Sequence, residues 1–224
     1  MSESKALVFD AQGLLPAVVQ DRLTGQVRMV AWMNSESLAR TLVTGRATFY
    51  SRSRKALWEK GETSGNALQV RSVYADCDGD TLLVLVDPLG PSCDTGRPNC
   101  FFRRVGEDGT ITDVALEAQP FLDELGSVLH ERRLATSERS YTRSLIEGGA
   151  AKVAEKLSEE AEELGRALEN ESDDRVASEA ADVLYHLLVG LELRQIPLRA
   201  VIEVLARRAG VSGHAEKASR GAKS

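Results

Sequence analysis

The hydrophobic period of this chain changes once, near residues 116–119, and that change constrains the fold more than any other feature. Before it, apolar residues come in short runs bounded by Gly, Pro, Asp and Asn, as at 27–33, 68–75 and 81–86. Such runs read as strands, because side chains of an extended chain alternate between faces and turn residues close each strand. After it, Phe121, Leu122, Leu125, Val128 and Leu129 recur at the spacing of one helix face. The two periods follow one another without interleaving, which predicts an α+β chain. A β-rich domain is placed over 1–116 and an all-α domain over 117–211, with 212–224, small and polar, as a disordered tail.

Finer signals fill in both halves. Asn34 or Ser35 caps a helix that carries Leu38 and Leu42 and stops at Gly45. Residues 47–51 read as a strand, 58–66 and 87–99 as loops, and 101–105 with 111–114 as a closing hairpin. In the second half Ser140 opens a helix, 150–168 and 173–193 are long helices, and a last one runs from Pro197 to Gly210. The net charge of −6 argues against a nucleic-acid or membrane-surface role. The start has no basic segment before an apolar run, and the apolar run 82–86 is too short to cross a bilayer, so the chain reads as cytoplasmic.

Cysteine supplies the first chemical clue. All three, Cys77, Cys93 and Cys100, fall in the Gly- and Pro-rich part of the first half. Three thiolates and one open position suit a catalytic zinc ion, whereas a structural zinc normally takes four protein ligands. The other reading is three small buried thiols, and their clustering weighs against it. The string Asp76-Cys77-Asp78-Gly79-Asp80 sets carboxylates at alternate positions. On an extended backbone they would share one face and Cys77 the other. Such a group suits Mg²⁺, although a polar Asp-Gly turn accounts for the string equally well.

The helical half carries carboxylates in pairs. Glu160 and Glu163, beside Glu159, share a face of one helix, and Glu179 and Asp182 repeat that spacing on the next. Ala177, Ala180, Ala181, Val183 and Leu184 surround the second pair, which places it at a half-buried helix interface. Unpaired carboxylates there are costly, and Mg²⁺ between the helices would offset that cost. A solvated acidic face is the alternative.

Taken together, Phe49-Tyr50-Ser51-Arg52-Ser53, the stretch Leu57-Trp58-Glu59-Lys60-Gly61-Glu62-Thr63-Ser64-Gly65-Asn66, the aspartate string and the Cys93-to-Phe101 loop resemble phosphoribosyl-AMP cyclohydrolase, over about residues 12–105. The resemblance implies that Cys77, Cys93 and Cys100 bind zinc, and that Asp76, Asp78 and Asp80 bind magnesium. It implies a homodimer whose zinc site takes ligands from both subunits, and opening of the substrate's adenine ring at N1–C6 by water that zinc acidifies. Arg52, Arg54, Lys60 and Arg97, with the backbone around Ser64 and Gly65, are the candidate phosphate ligands. The family usually has His after the second zinc cysteine, where this chain has Asp94. Either Asp94 replaces it as base, or ring opening is weakened.

In the second half, Ser140-Tyr141-Thr142, Lys152, Lys156, Glu159-Glu160-x-x-Glu163 and the run from Glu179 to Leu188 resemble phosphoribosyl-ATP pyrophosphohydrolase, an all-helical nucleotide pyrophosphohydrolase, over about 121–193. The resemblance implies that Glu160, Glu163, Glu179 and Asp182, with Glu159, hold Mg²⁺; Lys152 and Lys156, one turn apart on the same helix, suit either neutralising a triphosphate or pairing with Glu on the helix surface. His186 reads as a packing residue. The usual Gly before the paired glutamates is Ser158. The two resemblances imply consecutive steps of histidine biosynthesis: phosphoribosyl-ATP to phosphoribosyl-AMP and pyrophosphate, then ring opening. Two alternatives stand beside them: a house-cleaning nucleotide pyrophosphatase with a weakened cyclohydrolase domain, and a zinc-stapled domain joined to a helical dimerisation module.

Overall fold

The computed structural model describes residues 6–114, 117–135 and 141–209. They form two compact units that divide between Pro120 and Phe121. The first unit is β-rich and the second helical, as the change of period requires.

In chain order the first unit contains β1 (Leu15–Asp21), β2 (Val27–Met33), α1 (Ser35–Thr44), β3 (Thr48–Ser51), β4 (Ala56–Glu59), β5 (Leu68–Ala75), β6 (Leu82–Pro88), β7 (Arg103–Val105) and β8 (Ile111–Asp113). Four strands make the main sheet, in the order β2-β1-β6-β5. The β1–β2 and β5–β6 pairs are antiparallel, while β1 and β6 run parallel with Ala17 beside Leu82 and Val19 beside Val84. On these central strands Leu15, Ala17, Val19, Leu82, Val84 and Val86 all point inward. With Met29, Met33, Leu38, Phe49 and Leu68 they form one core. Each large side chain buried there contributes about 1.5–3 kcal/mol.

Asn34 caps α1, accepting the Ser37 N–H at 2.8 Å while Ser37 Oγ accepts the Asn34 N–H. Leu38 turns to the core, whereas Leu42 faces solvent. The hydrophobic pattern hides β1, because Pro16 interrupts its alternation. Trp58 and Glu59, placed in a loop by sequence, instead close β4. Trp58 lies opposite Phe49 in the hairpin, with ring centroids 5.1 Å apart. The following turn depends on Gly61, which has φ +88° and whose α-carbon lies against the Ala67 backbone. A side chain there would meet both a strained conformation and a steric clash.

The second unit contains α2 (Phe121–Leu134), α3 (Tyr141–Glu147), α4 (Gly149–Asn170), α5 (Asp173–Leu193) and α6 (Leu198–Arg208). Glu171 and Ser172 alone join α4 to α5, so the long helices must reverse and pack side by side. Leu129, Leu145, Val153, Leu188 and Val189 form the core, supported by Leu125, Ile146 and Leu184. No helix among the described residues is long and apolar enough to cross a membrane. The predicted disordered tail at 212–224, and the predicted helix ends at Ser140 and Gly210, lie outside the described residues.

One charged group ties down an end of the main sheet. Asp87 on β6 accepts from Arg22 Nε at 3.0 Å and from Arg71 Nε at 2.6 Å. Burial pushes this carboxyl upward, but the two guanidinium groups outweigh burial and hold it below its ordinary value. Its stabilisation is therefore present above about pH 3.9, the ordinary carboxyl value, and is lost as pH falls through the lower folded value. Asp87→Asn should lower the melting temperature at neutral pH. In thermal melts the gap to the unaltered protein should close as the solution is taken from about pH 4 toward 2. A gap that stays constant over that range would contradict this role.

Candidate metal centres

The aspartate string is not extended. It forms the tight turn between β5 and β6, in which Asp76 Oδ1 accepts the N–H groups of Gly79 (3.0 Å), Asp80 (3.0 Å) and Thr81 (3.2 Å). Burial works upward on the Asp76 carboxyl, and these donors, with hydrogen bonds to Asp80 and Asp78, bring it below its ordinary value. Asp76, Asp78 and Asp80 each present an oxygen within 4.8 Å of the others. Turn closure brings them together, in place of the strand alternation that the spacing suggested. A set of carboxylate oxygens fits a hard divalent cation and not a soft one.

The thiol loop follows β6. Buried Arg28 on β2 braces it: Nε donates to Ser92 Oγ (3.0 Å), Nη2 to the Gly90 carbonyl (3.2 Å), and the Arg28 carbonyl accepts the Cys100 N–H (2.9 Å). Asn99 is fully buried and donates to the Ala118 carbonyl at 2.9 Å. The loop closes on itself through Cys93 N–H to the Arg97 carbonyl at 3.2 Å. Within it the Cys93 and Cys100 thiols lie near enough to influence one another's protonation. Burial raises the Cys93 thiol, but the Thr95 hydroxyl at 3.1 Å, the Thr95 N–H and Cys100 outweigh burial and lower it. Burial and the neighbouring Cys93 push the Cys100 thiol up to about 11. Two neighbouring sulfurs are soft donors of the kind a thiophilic cation takes.

Cys77 does not join them. The thiol loop is anchored at the Pro88 end of β6: Pro88 pairs with Leu68, Leu68 accepts from Ala47, and Ala47 accepts from Lys60. Cys77 sits in the turn before Leu82, at the other end of β6. A strand of this length separates its ends by about 20 Å.

The candidate phosphate ligands divide. Lys60 is buried with its Nζ turned toward the thiol loop, 3.5 Å from Asp94 Oδ1, and Asp94 itself is fully exposed. Arg97 is used by the fold, donating to the Val114 carbonyl at 3.2 Å and lying 4.7 Å over the Phe102 ring. Arg52 lies 4.5 Å over Trp32, and Arg54 bonds Ser51 Oγ; both are exposed. Ser64 Oγ accepts the Asn66 N–H at 3.3 Å, and Gly65 adopts φ +76°. The Asn66 side chain packs on the Gly90 α-carbon, which ties this turn to the start of the thiol loop. Arg28, Ser92 and Asn99 carry no sequence signal, since a lone Arg, Ser or Asn fits any surface.

In the helical unit Glu160 of α4 and Glu179 and Asp182 of α5 bring oxygens within 4.8 Å of one another. Burial, the largest influence, raises the Glu179 carboxyl; Arg175 opposes it, and Glu163, Asp182 and Glu160 add to the rise. Glu163 stands outside this trio, 3.8 Å from both Arg166 and Arg175. Glu159 is turned to Lys156 at 2.6 Å, a contact that raises the Lys156 ammonium. The Lys152 stem lies against Gly148. Arg175 has no counterpart in the sequence reading. His186 is buried with both ring nitrogens engaged. Nδ1 faces the Asp182 carbonyl at 2.9 Å, which can only accept, so Nδ1 carries the proton and Nε2 accepts from Tyr141 O–H at 3.1 Å. His186 Nδ1 also lies 3.9 Å from Glu160 Oε1, beside the acidic trio.

Fold and sites together define a chain of two compact units, one β-rich and one helical, each with a candidate acidic metal site. Residues 29–102 match the phosphoribosyl-AMP cyclohydrolase family, and residues 122–209 match the phosphoribosyl-ATP pyrophosphohydrolase family. The chain is 43% identical over 208 residues to the histidine biosynthesis bifunctional protein HisIE of Bacillus subtilis, covering 93% of this chain and 97% of that protein. The protein of the same name from Caldanaerobacter subterraneus is also 43% identical, over 93% of this chain and 98% of its own length. The one from Wolinella succinogenes is 42% identical, over 95% of each. The chain belongs to this bifunctional family of histidine biosynthesis, with a cyclohydrolase domain followed by a pyrophosphohydrolase domain. The match extends through both domains, so a house-cleaning pyrophosphatase is not favoured.

The Tyr141–His186 hydrogen bond joins α3 to the helix that carries Glu179 and Asp182. Tyr141→Phe should cost about 1 kcal/mol in denaturant unfolding of the helical unit, the usual net worth of such a bond. An unchanged unfolding midpoint would show that this contact does not hold α3 in place.

Proposed function

We propose that the helical domain hydrolyses phosphoribosyl-ATP at Glu160, Glu179 and Asp182, and that the β-rich domain opens the adenine ring of phosphoribosyl-AMP at the thiol loop of a cytoplasmic homodimer. The separation of Cys77 from Cys93 and Cys100 by the length of β6 carries this reading. Three thiolates meet on one zinc only if Cys77 comes from a second copy. Cys93 and Cys100, neighbours in the thiol loop, are the pair that one subunit supplies.

When bound, zinc lowers the pKa of water and so supplies a nucleophile at neutral pH. The protein supplies position and proton transfer. Asp94, exposed beside the thiols and within 3.5 Å of Lys60, is the group that accepts a proton in place of the family's histidine. Lys60, first considered as a phosphate ligand, serves better as the buried charge that orients Asp94. Arg52 and Arg54 keep exposed guanidinium groups for substrate phosphate, as Arg97 does not. The Ser64–Gly65 turn stays with them, because Asn66 ties it to the thiol loop. Asp76, Asp78 and Asp80 hold Mg²⁺ at the far end of β6.

In the helical domain, Mg²⁺ bound to these carboxylates would offset phosphate charge and assist water in cleaving the α–β linkage. Glu160 of α4 and Asp182 of α5 would hold it, with buried Glu179 as the third ligand. Glu163 and Glu159 play outer parts, since the trio of converging oxygens is drawn from Glu160, Glu179 and Asp182. Lys152 is the better triphosphate ligand of the two lysines, because Glu159 already neutralises Lys156.

The test uses two assays on one sample, pyrophosphate release and the ultraviolet change of ring opening. Cys93→Ala should abolish ring opening and leave pyrophosphate release within about twofold, and Asp182→Asn should do the reverse when each is given its own substrate. Loss of both activities from either folded variant would refute two separate sites.

A further inference from the structure

Arg175 occupies an unusual place. It lies in the first turn of α5, where the helix dipole disfavours a cation. Its guanidinium spans three carboxylates: Nη2 is 2.7 Å from Glu179 Oε1 and 3.8 Å from Glu163 Oε2, and Nε is 3.3 Å from Glu171 Oε2. Those partners come from α4, from the two-residue connection and from α5. Arg175 therefore closes the end of the helix hairpin directly over the acidic trio.

The contact with Glu179 matters most. That side chain is only 3% exposed, so its pairing with Arg175 is little screened by solvent. Glu179 also belongs to the trio with Glu160 and Asp182. A divalent cation among those oxygens would face a fixed positive charge across the width of one carboxylate. The same arginine accounts for Glu163, which shares a helix face with Glu160 yet stands outside the trio.

We propose that Arg175 is a built-in counter-cation of the pyrophosphohydrolase site: it holds Glu163 and Glu179 until a divalent ion enters, and by competing with that ion it sets the site's metal affinity. The inference rests on Glu160, Glu179 and Asp182 being metal ligands. It makes Arg175 neither a substrate ligand nor a simple structural brace. A brace, once removed, would loosen the carboxylates and weaken metal binding; a competitor, once removed, leaves metal binding tighter.

The test is Mn²⁺ binding to the full-length protein, read from the electron paramagnetic resonance of free Mn²⁺. The component lost in Asp182→Asn identifies this site and separates it from the aspartate turn. Arg175→Gln should tighten that component by about fivefold or more, because one nearby positive charge is removed. Arg175→Lys should fall between, since it keeps the charge but loses the fork that spans several carboxylates. Unchanged or weaker binding in Arg175→Gln that melts cooperatively would overturn the proposal. If Arg175→Gln does not melt cooperatively, Arg175→Lys decides on the same criterion. Absence of any Asp182-dependent Mn²⁺ binding in the unaltered protein would remove the metal reading of the trio, and this inference with it.

Discussion

Strand β6 pairs with β1 on one side and β5 on the other, and those two ladders hold two chemically different loops apart. At its start lies a turn of carboxylates built around the Asp76 side chain. At its end lies the thiol loop, braced from beneath by Arg28 and flanked by Lys60. β1 is registered on β6 residue by residue, β5 likewise apart from a bulge at Arg71, and the inward side chains of β6 are fully buried. The loops therefore cannot approach one another without dismantling the core. Hard oxygen donors at one end and soft sulfur donors at the other favour different cations. The incompleteness of the sulfur set in one chain is what makes a second copy part of the proposed chemistry.

The helical domain meets a related electrostatic problem differently. Apolar packing of α4 on α5 carries Glu179 into a buried position, with Glu160 and Asp182 close by. Like charges at that spacing oppose the helix packing that creates it, and a nearby cation relieves that repulsion. Arg175 supplies one from the protein itself, and Lys156 draws Glu159 away. The hydrogen-bonded pair Tyr141 and His186, and the pair Thr142 and Tyr185, then fix α3 against α5.

Much of this was legible in the chain because it depended on local chemistry. The span of α5 follows from its apolar spacing, and α1 follows from Asn34 and Gly45. The two acidic groups were legible as clusters, but not in their detailed form. The aspartates converge through backbone hydrogen bonds to Asp76, which spacing alone does not reveal. Of the five helical carboxylates, Glu159 and Glu163 are diverted by cations whose reach depends on side-chain conformation. Strand β1 was hidden by Pro16, and the inward turn of Lys60 by its ordinary place among charged neighbours. Arg28 and Asn99 act through loop carbonyls and hydroxyls far away in sequence, so only the folded chain assigns them a role.

On the proposed reading, one zinc site needs two copies of the chain. Subunit mixing tests it most directly. Cys77→Ala and Cys93→Ala proteins, each inactive in ring opening alone, are unfolded together, refolded together with Zn²⁺, and assayed. Mixed dimers join an intact Cys93–Cys100 pair from one subunit to an intact Cys77 from the other, so ring opening should return on mixing. If mixed dimers form, as tagged subunits can verify, and ring opening stays absent, the shared site is wrong.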